Sequence, residues 1–180
     1  QVKAKDSFDE ITGRKVLTEF FPSSDTFTTT GLSSFSLQFV DKTLDFIDDV
    51  KGVFDQITGL NTDSGRMFRL YNAAFRRFPD ASGLSYWIEQ FSSGANDIRT
   101  VASSFLVSEE FKLRYGENVT DNQYVKTLYI NVLNRELDQG GYDYWVGNLS
   151  SGSETRYDVL LGFAESEENK ALFTEMTGFG

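Results

Sequence analysis

Apolar residues recur along this chain at two periods, and the change from one to the other divides it. Between Ser33 and Phe39 they alternate, with Phe35, Leu37 and Phe39 separated by polar neighbours, a strand signal. From Asp41 to Ile57 the spacing becomes threes and fours. Leu44, Ile47, Val50, Phe54 and Ile57 fall on one stripe, which predicts an amphipathic helix capped by Asp41 and stopped by Gly59. Upstream, Phe20-Phe21-Pro22-Ser23-Ser24-Asp25-Thr26-Phe27 reads as an extended Ser/Thr/Phe-rich arm that lies along a helical body. Residues 1–60 therefore form an arm plus a helix, and the turn-rich Thr58–Gly65 ends them.

Beyond that boundary the pattern is helical and is written twice. Leu70-Tyr71 through Arg77, Asp80, Gly83, Tyr86 and Trp87 returns 58 residues later as Leu128-Tyr129, Arg135, Asp138, Gly141, Tyr144 and Trp145. The register holds through Ser92-Ser93-Gly94 against Ser150-Ser151-Gly152, and through Ser108-Glu109-Glu110 against Ser166-Glu167-Glu168. Each copy reads as four helices. The first runs from about Gly65 to Arg77, or Asn122 to Arg135. The second opens after Asp80 or Asp138 and stops near Gly94 or Gly152. The third carries Ile98, Val101, Ala102 and Phe105, or Val159, Leu160 and Phe163. A short fourth starts at Ser108 or Ser166. The expected fold is all-α: two tandem four-helix units, about 63–115 and 121–173, forming one bundle-like body over 61–180.

Composition narrows the chemistry. With 180 residues and 39% apolar content the chain is long enough for a packed core. A net charge of −10 and the lack of any Lys/Arg cluster disfavour nucleic acid. Membrane insertion is not expected, because the richest apolar run, Val159–Ala164, is far short of a span. No cysteine and no histidine are present, which removes disulfides, thiolate or Ser-His-Asp catalysis and nitrogen- or sulfur-ligated zinc. The acidic, cysteine-free composition points to an extracellular or cell-surface location. The chain begins at Gln1 with neither an initiator Met nor a signal-peptide pattern, so a mature product or a fragment of a longer protein is expected.

The stretch Arg76–Trp87, with Leu70-Tyr71 before it and Ser108-Glu109-Glu110-Phe111 after, resembles the bacterial family known as "domain of unknown function 4214". Leu128-Tyr129, Arg135, Asp138, Gly141, Tyr144-Trp145, Gly152 and Ser166-Glu167 carry the resemblance again, so that it covers about Asp63–Phe173. Arg76 and Asn134 stand where that family usually has Gly, and Leu137 replaces its Pro. The resemblance implies a helical domain distantly like those of phycobilisome linkers, found in large exported surface-layer-like, repeat-in-toxin-like or adhesin-like proteins and in some phage structural proteins. It brings no catalytic residues.

Each recurrent residue has two readings. Asp80 and Asp138 sit on glycine turns where oxygen ligands suit calcium, but an Asp just before a helix is an N-cap, and six or more oxygens are not at hand. Arg77 and Arg135 suit a carboxylate clamp, yet a local Arg–Asp bracket across the turn is the simpler expectation. Tyr86-Trp87 and Tyr144-Trp145 suit glycan stacking, but core anchoring accounts for both tryptophans, with the tyrosines nearer the surface. The glutamates read as first-turn helix charges. The expected function is a non-enzymatic module that assembles with protein, either other copies or other domains of its own polypeptide. Calcium or glycan binding is the first alternative. A linker or virion role is the second, ranked lower because linkers that grip acidic pigment proteins should be basic.

Overall fold

The structure, a computed structural model, describes residues 36–38, 43–45 and 50–180. Two short strands come first. β1 (Ser36–Gln38) pairs antiparallel with β2 (Thr43–Asp45), with Leu37 opposite Leu44. Ser36–Gln38 thus lies within the stretch expected to be extended. The helix expected from Asp41 is corrected: Thr43–Asp45 is strand, and among the described residues the first helical ones are Val50 and Lys51, leading into α1 (Gly52–Phe54). Leu44 fits both patterns, as a member of the helical stripe and as the partner of Leu37. Beside an antiparallel neighbour the backbone pairing prevails over a short local period. The rest of the arm, with Asp41 as a cap, lies outside the described residues.

From residue 50 on, all regular structure is helical. The helices after α1 are α2 (Asp63–Phe75), α3 (Ala81–Ser92), α4 (Ile98–Leu106), α5 (Glu109–Tyr115), α6 (Asp121–Leu133), α7 (Gln139–Ser151), α8 (Arg156–Ala164) and α9 (Glu167–Thr177). Each of these starts at a Ser, Thr or Asp whose side chain accepts the backbone N–H three residues on. That oxygen satisfies one of the free donors of the first turn and sets the helix start. Thr120 and Thr155 close full capping boxes with Gln123 and Asp158.

One core runs through the body. Met67, Phe68 and Leu70 of α2, Val101 and Phe105 of α4, Leu128 and Val132 of α6, and Leu160 and Phe163 of α8 belong to a single buried cluster. Val53 and Ile57 join it, so the turn of helix ahead of the repeated region packs into the same core. Helix α8 is central: it lies against α2, α4 and α6 and draws both halves together. No helix among the described residues is long and apolar enough to cross a membrane.

Candidate functional site

The turn between α2 and α3 and its counterpart between α6 and α7 hold the same four side chains, 58 positions apart. Helix α2 ends at Arg76, in the left-handed region at φ 46°, and α6 ends at Asn134 with φ 52°. That reversal turns the next residue, Arg77 or Arg135, back across its own helix. The Arg77 guanidinium lies over the Tyr71 ring at 5.1 Å, and that of Arg135 over Tyr129 at 5.0 Å.

The arginines find their principal partner far along the chain. Arg77 Nε and Nη2 donate to the two carboxylate oxygens of Glu110 at 2.6 and 2.8 Å. Arg135 makes the same fork to Glu168 at 2.7 and 3.0 Å. Further donors reach the Phe78 carbonyl at 2.8 Å and the Tyr71 hydroxyl at 3.1 Å, or the Glu136 carbonyl at 3.0 Å. The local Arg–Asp bracket expected from sequence forms in the second turn, between Arg135 and Asp138, while no hydrogen bond joins Arg77 to Asp80. Arg135 does reach Asp138, at 3.3 Å, but the short paired bonds go to the glutamates. Glu110 and Glu168 are not merely first-turn charges: they tie the start of α5 or α9 to the preceding turn.

The two aspartates are N-caps in this geometry. Asp80 Oδ1 accepts from the Gly83 N–H at 2.7 Å and from the Ser82 hydroxyl at 3.0 Å, while Oδ2 accepts from the Tyr71 hydroxyl at 3.4 Å. Asp138 Oδ1 accepts from the Gly141 N–H at 2.8 Å. Burial would raise the Asp80 carboxyl, but the donors of Gly83 and Ser82 and the charge of Arg77 hold it below the usual carboxylate range. The Gly141 N–H, with Arg135, does the same for Asp138. The motif glycines follow from this crowding. A Cβ on Gly83 would lie 2.8 Å from Asp80 Oδ1, and one on Gly141 would lie 2.1 Å from the Tyr129 hydroxyl. Among the described residues no three acidic side chains are grouped to hold a metal ion.

The aromatic pairs divide their roles. Trp87 packs edge-on against Phe105 at 5.2 Å, and Trp145 lies on Phe163 at 5.4 Å, both half-buried. Their neighbours Tyr86 and Tyr144 stay 52% and 56% exposed.

One ion pair escaped sequence reasoning. Arg69, only 1% exposed, donates twice to Glu165 at 3.0 and 2.8 Å and once to the Leu60 carbonyl at 2.6 Å, with its guanidinium 5.1 Å from the Phe173 ring. It joins the first half of the body to the second. A charged residue between Phe68 and Leu70, on the apolar stripe, was the available signal; its partner lies 96 positions away.

Residues 102–173 match the model of a family described as a domain of unknown function (DUF4214). The match starts within α4 and ends within α9, so it takes in the whole second motif and, from the first half, the end of α4 and all of α5. No curated protein and no solved structure matches the chain.

Proposed function

We propose that this chain is a non-enzymatic structural module of a larger exported bacterial protein, of surface-layer or adhesin type, and that it works through protein–protein assembly. The observation that carries the reading is the fate of the repeated polar groups. Tyr71, Arg77, Asp80 and Glu110 spend their hydrogen bonds on one another and on nearby backbone. Tyr129, Arg135, Asp138 and Glu168 form the matching set, with the Arg135 and Asp138 bonds closed in the same way. A constellation whose donors and acceptors are internally matched holds a corner of the fold and leaves little for a substrate. The acidic, cysteine-free composition supports an exported setting.

Calorimetric titration with calcium chloride and a glycan array test the reading. Silence in both is the expected result. Heat from calcium, or a rise in melting temperature on its addition, would move the assignment to a ligand-binding module. A second reading, glycan stacking, draws on the equal exposure of Tyr86 and Tyr144; it requires array binding that Tyr86→Ala and Tyr144→Ala each reduce. Proteolysis of intact source cells tests the location, since an exported module is cleaved from outside and an internal one is protected.

A further inference from the structure

Oxidation finds few openings on this molecule. The chain has neither cysteine nor histidine, and its readily oxidised side chains are eight tyrosines, two tryptophans and two methionines. All of them fall between Met67 and Met176, inside the described helical body. Met67 and three of the tyrosines are buried; Met176, both tryptophans and three further tyrosines are half-buried. The exposed ones are Tyr86 and Tyr144.

These two phenols hold the same place in the two halves, 58 positions apart. Each ring stands edge-on to the tryptophan that follows it, with centroids 5.0 Å apart in both copies. Behind each pair the indole packs on Phe105 or Phe163 in the core. Neither Tyr86 nor Tyr144 has a hydrogen-bond partner for its hydroxyl among the described residues. The Tyr124 hydroxyl, by contrast, is tied to the Arg156 carbonyl, and that of Tyr142 to Asn122. An indole that has lost an electron is re-reduced by a phenol in contact with it, provided that the phenol can release its proton. Tyr86 and Tyr144 meet both conditions, since each touches the indole and opens its hydroxyl to water. Oxidation is thereby carried from a half-buried ring to an exposed one.

We propose that Tyr86 and Tyr144 are oxidative modification sites, at which a haem peroxidase acting with hydrogen peroxide couples the phenol of one chain to that of another. The proposal rests on the assembly reading above and gives it a covalent link. Each phenol loses one electron and its hydroxyl proton to the oxidant. The two phenoxyl radicals then join through the ring carbons beside the oxygen, and each of those carbons sheds its hydrogen as a proton while the phenolic oxygen regains one. Two phenols and one hydrogen peroxide thus yield one dityrosine and two waters. Having two sites decides what this chemistry builds: a single phenol per chain ends at dimers, whereas two let the product grow. A chain without cysteine has no disulfide route to the same end.

Treating the full chain with a haem peroxidase and hydrogen peroxide tests the sites. Dityrosine fluorescence is expected, with a ladder of dimers and longer species on a denaturing gel. Tyr86→Phe and Tyr144→Phe keep the ring and remove the phenol, so each alone stops the ladder at dimers and the two together abolish it. A ladder that persists in the double variant overturns the proposal, and so does a wild type that stays monomeric under oxidation. Pulse radiolysis with azide radicals, which oxidise tryptophan first, tests the relay. In the wild type the indolyl signal should decay into a phenoxyl signal at a rate independent of protein concentration, and in the double variant it should persist. Equal decay in both overturns the pairing of each tyrosine with its tryptophan. Protein recovered from its source cells is expected to carry dityrosine in an acid hydrolysate, and its absence there overturns the joining role. Sedimentation without oxidant reads non-covalent assembly separately, so failed coupling and a failed assembly reading are told apart.

Discussion

Arg76 and Asn134 occupy the left-handed region that favours glycine, at φ 46° and 52°. An L side chain there costs about 1 kcal/mol, less for Asn, whose short polar group tolerates it. Arg76→Gly is therefore expected to raise stability by about 0.5–1 kcal/mol and Asn134→Gly by less, read as shifts of the urea midpoint. The opposite sign is expected at Gly162, where a Cβ would lie 2.5 Å from the Trp145 ring. Gly162→Ala should destabilise by about 1–3 kcal/mol and disturb tryptophan fluorescence. The capping aspartates set an acid dependence. Because the Asp80 and Asp138 carboxyls are held below their ordinary range, their contribution is present at neutral pH and is lost as pH falls below about 4, through the folded values. Asp80→Asn and Asp138→Asn keep a competent cap, so melts against pH should show a flatter acid limb with little change at pH 7. At this scale the motif was readable as helix starts and apolar anchors. The fork from Arg77 to Glu110 was not, because nothing in either segment marks a partner 33 positions away.

Helix boundaries were the most legible feature of the chain, because capping is local chemistry. Starts expected near Gly65 and Asn122 fall at Asp63 and Asp121, and the second helices open directly after Asp80 and Asp138. Thr120 illustrates why: its hydroxyl accepts the Gln123 N–H while the Gln123 side chain accepts the Thr120 N–H. Thr120→Ala is expected to cost about 1 kcal/mol in urea unfolding, with the slope unchanged. Where an element depends on a neighbour, local pattern fails. The stripe through Leu44 had a helical period, yet Thr43–Asp45 is strand because Ser36–Gln38 runs beside it.

Across the whole molecule the two halves are joined through α8, and the Arg69–Glu165 pair is the buried polar contact at that seam, beside the more exposed Arg99–Asp158 pair. The equivalents of Arg69 and Glu165 58 positions away are Thr127 and Val107, so the repeat supplies no second copy of that buried pair. Glu165→Gln leaves a buried guanidinium without its anion and should destabilise by about 2–3 kcal/mol, somewhat under a fully buried pair because Glu165 is 33% exposed. Arg69→Met fills the space with apolar volume and should cost less. Urea unfolding of both variants checks the order, and equal losses would argue against charge burial as the cause.

Sequence alone determined the helical class, the repeat, the caps and the burial of both tryptophan faces, because these rest on contacts within a few residues or on a period the chain displays openly. Tertiary structure decided which glutamates the arginines grip and that Arg69 is buried between the halves. Those outcomes depend on which distant surfaces meet, and a carboxylate on a first helical turn looks the same in sequence whether it faces water or a guanidinium.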